Sequence, residues 1–215
     1  MQVAVVKYNA GNIYSVMSAL HRLGVEPLLT DRPEELRCAD RVLFPGQGEA
    51  RGAMEYLRAR GLDVVIRSLT QPVLGICIGQ QLLCRHSEEG DTDCLGVFNV
   101  DVKRFRPERH EDKVPCMGWN SIYPPEGKDA VCGLFGGLFD GRPHFQNQEG
   151  NRSGAPYVYF VHSYYVPLCQ ETVAVADYIQ PYSAALQKGN FYATQFHPEK
   201  SGSVGEKIIK NFLQL

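Results

Sequence analysis

At 215 residues, with 44% hydrophobic and 21% charged positions, the chain has the make-up of an ordinary soluble globular protein, long enough to bury a substantial core as one compact domain. Its 22 basic and 24 acidic residues leave a net charge of -2, which excludes a strong field for nucleic acid or a membrane surface. The first residues lack a secretion signal and no apolar run approaches membrane-spanning length, so the expected location is the cytoplasm.

Residues 2–7 alternate weakly and predict a first strand, ending at Asn9-Ala10-Gly11-Asn12. Ile13, Val16, Met17, Leu20 and Leu23 then recur at helical spacing, with Asn12 as cap and Gly24 as stop. Strands are expected at 27–30 and 41–44, with a short helix opened by Pro33 between them. The turn Pro45-Gly46-Gln47-Gly48 follows, then helices over 50–60 and 62–69. Residues 72–83, PVLGICIGQQLL, read as a short buried strand that breaks around Cys77 and runs into an amphipathic segment. This alternation predicts an α/β fold: a mostly parallel open sheet flanked by helices, with sites at the carboxyl ends of its strands.

Beyond Ser87 the pattern changes to strands at 95–105, 116–123, 157–166, 172–179, 183–188 and 191–196, expected as an antiparallel extension of the same sheet. Residues 124–156, rich in glycine, proline and polar side chains, are expected as a long surface insert. Val204, Ile208, Ile209 and Phe212 mark a closing helix. The whole of 1–215 is expected to form a single domain.

The seven cysteines (Cys38, Cys77, Cys84, Cys94, Cys116, Cys132 and Cys169) form no C-x-x-C pair and are odd in number, so neither a zinc site nor a disulfide framework is suggested. Cys38 and Cys84 are expected to be buried. One cysteine stands apart. Glycines two positions either side of Cys77 make a nucleophile elbow, a strained turn that presents a side chain to open space at a helix N-terminus. On its own this pattern fits a buried strand-end cysteine slightly better.

A thiol needs a base, and Gln195-Phe196-His197-Pro198-Glu199-Lys200 offers one. Proline keeps His197 extended, and alternate residues of an extended chain share a face, which sets the Glu199 carboxylate beside the His197 imidazole. That is a base with its orienting group. Backbone amides of Gly46, Gln47 and Gly48, with that of Ile78, are candidate oxyanion donors. The mixed-sign tract at 103–113 reads as a solvated charged face.

Leu43-Phe44-Pro45-Gly46-Gln47-Gly48, Gly75-Ile76-Cys77-Ile78-Gly79-Gln80-Gln81-Leu82-Leu83 and Gln195-Phe196-His197-Pro198-Glu199-Lys200-Ser201-Gly202 resemble the three signatures of class I (triad) glutamine amidotransferases. Within that family, Tyr8-Asn9-Ala10-Gly11-Asn12, Met117-Gly118-Trp119-Asn120 and Phe160-Val161-His162-Ser163-Tyr164-Tyr165 are most similar to the glutaminase subunits of imidazole glycerol phosphate synthases, outside about 124–156. The resemblance implies Cys77 as nucleophile, His197 as general base and acid, and Glu199 as its partner. It implies that Gly46, Gln47, Gly48, Ile78 and Gln81 hold L-glutamine, with His162, Ser163 and Tyr164 flanking it. Asn12, Trp119, Tyr159 and Lys200 would face a separate cyclase subunit that receives the ammonia in a heterodimer, and no cofactor or metal is implied. Cys116 and Gln80 depart from the family pattern, where histidine and methionine are usual; the first bears on the partner contact, the second on the pocket beside the nucleophile. Two other readings stay open at this point: an amidotransferase serving a different acceptor synthase, and a cysteine hydrolase or redox-sensing protein on a similar sheet.

Overall fold

A computed structural model describes residues 1–8, 13–46, 48–127, 133–139 and 154–215. The first half of the chain alternates as expected: β1 (Val3–Val6), α1 (Ile13–Arg22), β2 (Leu28–Thr30), α2 (Pro33–Cys38), β3 (Arg41–Phe44), α3 (Ala50–Ala59), α4 (Leu62–Arg67), β4 (Val73–Ile76) and α5 (Ile78–Leu83). The second half adds β5 (His86–Ser87), β6 (Thr92–Asp93), β7 (Asp101–Arg104), β8 (Cys116–Ser121), β9 (Tyr157–His162) and β10 (Tyr164–Tyr165). It closes with β11 (Thr172–Tyr178), β12 (Gln180–Lys188), β13 (Phe191–Thr194) and α6 (Gly202–Leu213).

Seven strands form the main sheet in the order β11-β12-β13-β4-β3-β1-β2. The five from β13 to β2 run parallel, whereas β11 and β12 pair antiparallel at one edge. The parallel strands are apolar on both faces because helices cover both. Val3, Val5, Leu43 and Leu74 pack toward α1 and α6, while Ala4, Val6, Val42 and Val73 pack toward α3, α4 and α5.

Of the later strands, β13 joins the main sheet but runs parallel to β4, contrary to expectation, and only β11 and β12 extend it antiparallel. β10, β7, β5 and β6 form a separate four-stranded sheet, and β8 pairs with β9 in a two-stranded ribbon. Alternating apolar residues announce a strand but carry no record of its partner, which is why a single extension was the expectation for all of them. The hairpin of β5 and β6 had no apolar alternation to announce it.

The expectation of a surface insert over 124–156 falls largely outside the described residues. Where residues 133–139 are described, they contradict it: Leu134, Phe135 and Phe139 are buried in the main core. Their carbonyl neighbours are tied to α6 by Asn211 Nδ2, at 3.0 Å to Leu134 O and 3.1 Å to Gly136 O. Three buried apolar side chains in a glycine-rich tract suffice to anchor it. Cys84 is buried, but Cys38, at the end of α2, is exposed. Among the described residues no helix is long and apolar enough to cross a membrane.

The register places three strand ends side by side. Gly75 of β4 pairs with Phe44 of β3 on one side and Ala193 of β13 on the other, so Pro45, Cys77 and Gln195 leave the sheet together. The helix after β4 sits directly on the backbone, since a Cβ at Gly79 would lie 1.9 Å from Phe44 O. Gly79→Ala should therefore overpack this contact and lower stability by about 1–3 kcal/mol or more in chemical denaturation. An unchanged midpoint would show that α5 can move off β3 freely.

Candidate active site

Cys77 connects β4 to α5 with φ 55° and ψ -107°, a left-handed backbone conformation that is costly for a residue with a side chain. Its N–H donates to Thr194 O at 2.7 Å, and its own carbonyl accepts from Gln80 N and Gln81 N. The turn is thus over-determined by the neighbouring strand and the following helix. Its sulfur lies 3.7 Å from Val161 O and 3.8 Å from Gln195 Nε2.

From the adjacent end of β13, His197 is held extended by Pro198 and by a hydrogen bond from its N–H to Tyr159 O at 2.9 Å. Its Nδ1 meets Glu199 Oε1 at 2.8 Å, and both side chains are 1% exposed. Burial pushes the imidazole toward the neutral form. The Cys77 sulfur and the Glu199 carboxylate push it further the other way, so its pKa rises to about 10. Nε2 is buried without a hydrogen bond of full geometry, so we attribute the Cys77 contribution to charge proximity. His197 therefore faces the sulfur as an imidazolium around neutral pH.

His162 carries the opposite state. Burial depresses its pKa to about 4, and the charge of His197 adds to that, against the hydrogen bond that Nδ1 donates to Tyr164 O at 2.7 Å.

On the other side of Cys77, Gly46 is enclosed: a Cβ there would meet the Tyr8 hydroxyl at 1.9 Å and the Ile78 side chain at 2.3 Å. Tyr8 donates to Pro45 O at 2.6 Å and so fixes the start of the glycine turn. Ile78 opens α5, where N–H groups lack an intrahelical acceptor.

A cavity of about 360 Å³ opens over the sulfur. Of the expected glutamine-holding residues, Gly48, Ile78, Gln81, His162, Ser163 and Tyr164 line it. Gln81 is aimed by hydrogen bonds from its Nε2 to Tyr164 O at 3.1 Å and Gln195 Oε1 at 3.0 Å. Gln47 and Asn12 lie outside the described residues. Glu89, which nothing in the sequence singled out, also lines the cavity, and its carboxylate accepts from Ala50 N at 2.9 Å at the start of α3. Burial raises its pKa, against that hydrogen bond, with Glu49 adding a smaller upward push. In sequence it sits in Ser87-Glu88-Glu89-Gly90-Asp91.

Trp119 and Tyr159 pair across the β8–β9 ribbon, with ring centroids 6.0 Å apart. Trp119 and Met117 are 56% and 66% exposed. Cys116 points inward and is buried, with its thiol pushed up to about 12. Gln80 also faces away from the pocket, donating to Ser183 O at 3.3 Å. Lys200 lines a separate cavity with Arg22 and Glu206. No group of three or more metal-ligating side chains occurs among the described residues.

The family model for class I glutamine amidotransferases matches residues 4–215. The chain belongs to this family. It is 58% identical over 215 residues to the imidazole glycerol phosphate synthase subunit HisH of Bacteroides thetaiotaomicron, covering 100% of both chains. The Escherichia coli K12 protein of the same name is 42% identical over 216 residues, again with 100% of each chain covered. A solved glutamine amidotransferase structure shares the fold, with a TM-score of 0.69 and 19% identity over 98% of this chain and 97% of that one.

A histidine whose pKa is raised on folding contributes stability that is complete below its unfolded value, about 6.5, and lost as pH rises through about 10. In an NMR titration the His197 ring should accordingly stay protonated between pH 6 and 8 while His162 stays neutral. A His197 midpoint near 6.5 would contradict the arrangement.

Proposed function

We propose that this chain is the glutaminase subunit of an imidazole glycerol phosphate synthase in histidine biosynthesis, acting as a single amidotransferase domain in the cytoplasm. The observation that carries the reading is the full-length 58% identity to a subunit of that name, in a chain whose elbow cysteine acts electrostatically on a buried His197–Glu199 pair.

In this reading L-glutamine lies with its carboxamide over Cys77, and the glutamine ammonium is met by Glu89, the carboxylate in the cavity wall. Gln81, Ser163 and Tyr164 hold the rest of the amino acid. The thiolate attacks the carboxamide carbon, and the resulting oxyanion is met by amides of the Gly46 to Gly48 turn and Ile78. The His197 imidazolium gives its proton to the departing nitrogen, so ammonia leaves and a glutamyl thioester remains. His197, now neutral, takes a proton from water as the water oxygen attacks the thioester. Cys77 leaves as thiolate, glutamate is released, and the imidazolium is restored.

Ammonia released into bulk water would be protonated, so direct transfer to a cyclase subunit fits the chemistry. The exposed face of the β8–β9 ribbon supports that partnership. Val161 on that ribbon lines the cavity over Cys77, and Met117, Trp119 and Tyr157 leave an apolar surface continuous with it. Tyr14 on α1 is 84% exposed. Asn12, Tyr159 and Lys200 complete the proposed partner-facing set.

Glutamine hydrolysis should be slight for the chain alone and strongly stimulated by a cyclase subunit loaded with its nucleotide substrate. Cys77→Ala should abolish it, and full activity of the isolated chain would count against the reading. Glu89→Gln should raise KM for glutamine about 10-fold to 100-fold with kcat little changed, as expected for loss of a charge-assisted contact. An unchanged KM would remove Glu89 from the site.

A further inference from the structure

We propose that Gln195 is a positioning residue for the nucleophile: its carboxamide N–H donates to the Cys77 thiolate, in an orientation dictated from the substrate cavity through Gln81. The inference rests on Cys77 being the nucleophile assigned above.

Gln195 is 0% exposed and leaves β13 beside the end of β4. A buried carboxamide has two orientations, and here one backbone carbonyl decides between them. Tyr164 O can only accept, so the Gln81 atom 3.1 Å from it is the nitrogen. That same nitrogen lies 3.0 Å from Gln195, which must present its oxygen. Gln195 Nε2 is then left facing the Cys77 sulfur at 3.8 Å. A chain of hydrogen bonds thus runs from Tyr164 O through Gln81 and Gln195 to the nucleophile.

The chain discriminates between the two states of the sulfur. A thiol can donate to Val161 O, 3.7 Å away, whereas a thiolate has nothing to donate and is repelled by that carbonyl. The Gln195 N–H does the reverse, and shielding from water strengthens it. Two titratable groups act electrostatically with the same sulfur: His197 from the turn after β13, and Tyr8 from the end of β1, whose phenol burial keeps neutral. Gln81 also lines the cavity, so whatever occupies the cavity touches the far end of the chain.

The test is the pH dependence of Cys77 alkylation by iodoacetamide, read at that residue by mass spectrometry, in Gln195→Met and Gln195→Glu. Both remove the donor, and the glutamate retains an acceptor for Gln81. In both, the midpoint should move up by about one pH unit or more, with labelling at pH 7 about tenfold slower. Profiles that superimpose on that of the unchanged chain overturn the proposal, as does a shift confined to Gln195→Met. Should either variant not fold, the unchanged chain gives the second reading. The Gln195 side-chain amide resonances should titrate with the midpoint of Cys77 alkylation, and resonances unmoved across it overturn the proposal. Because alkylation needs no glutamine, superimposed profiles in a chain that still hydrolyses glutamine with its partner sink this inference alone. Glutamine hydrolysis that survives Cys77→Ala in the complex with the partner sinks the assigned reaction instead.

Discussion

The left-handed turn at Cys77 is the constraint on which the rest of the site depends. A cysteine at φ 55° costs of order 1–3 kcal/mol, and the chain holds it there with the Thr194 carbonyl on one side and the first turn of α5 on the other. The helix can approach closely enough to do this because Gly75 and Gly79 carry no side chains where β4, α5 and β3 touch. Relaxing the turn would withdraw the sulfur from the cavity and leave His197 opposite an empty position. Parallel pairing of β13, β4 and β3 then determines what else stands nearby. His197 follows the next strand on one side, and Pro45 and Gly46 follow the next strand on the other.

Electrostatics divides the labour once the geometry is in place. His197 and His162 are both buried, yet one is pushed up to about 10 and the other, in part by the charge of the first, down to about 4. The difference is the neighbour: a carboxylate and a sulfur for His197, a neutral carbonyl for His162. In the proposed reaction the protonated imidazole acts first as an acid, already carrying the proton the leaving nitrogen needs. The neutral one contributes a wall of the pocket without competing for that proton.

The proposed triad was legible in the sequence because its residues are adjacent to backbone punctuation: glycines around Cys77, proline after His197. The same holds for the parallel half of the sheet, where β-branched runs and helical spacing alternate. The place of Glu89 in the cavity wall was not legible, since it depends on a hairpin that brings this residue against α3. Gln195 was visible only as part of a motif, because nothing in a sequence says toward which atom a buried carboxamide points. The inward turn of Cys116 and Gln80 follows from strand pairing and helix rotation, which single substitutions do not announce. Residues 133–139 mislead for a further reason: their glycines suggest a surface loop, while Leu134, Phe135 and Phe139 are what the core takes up.

The claim that Cys77 and His197 work on one amide is tested most directly by trapping the covalent intermediate. The chain, assembled with its cyclase partner and turning over glutamine, would be quenched in acid and the peptide containing Cys77 weighed. A glutamyl adduct on that cysteine, absent when His197 is replaced by alanine, is the predicted result. A complex that hydrolyses glutamine while Cys77 stays unmodified, or carries the adduct on another residue, would contradict it.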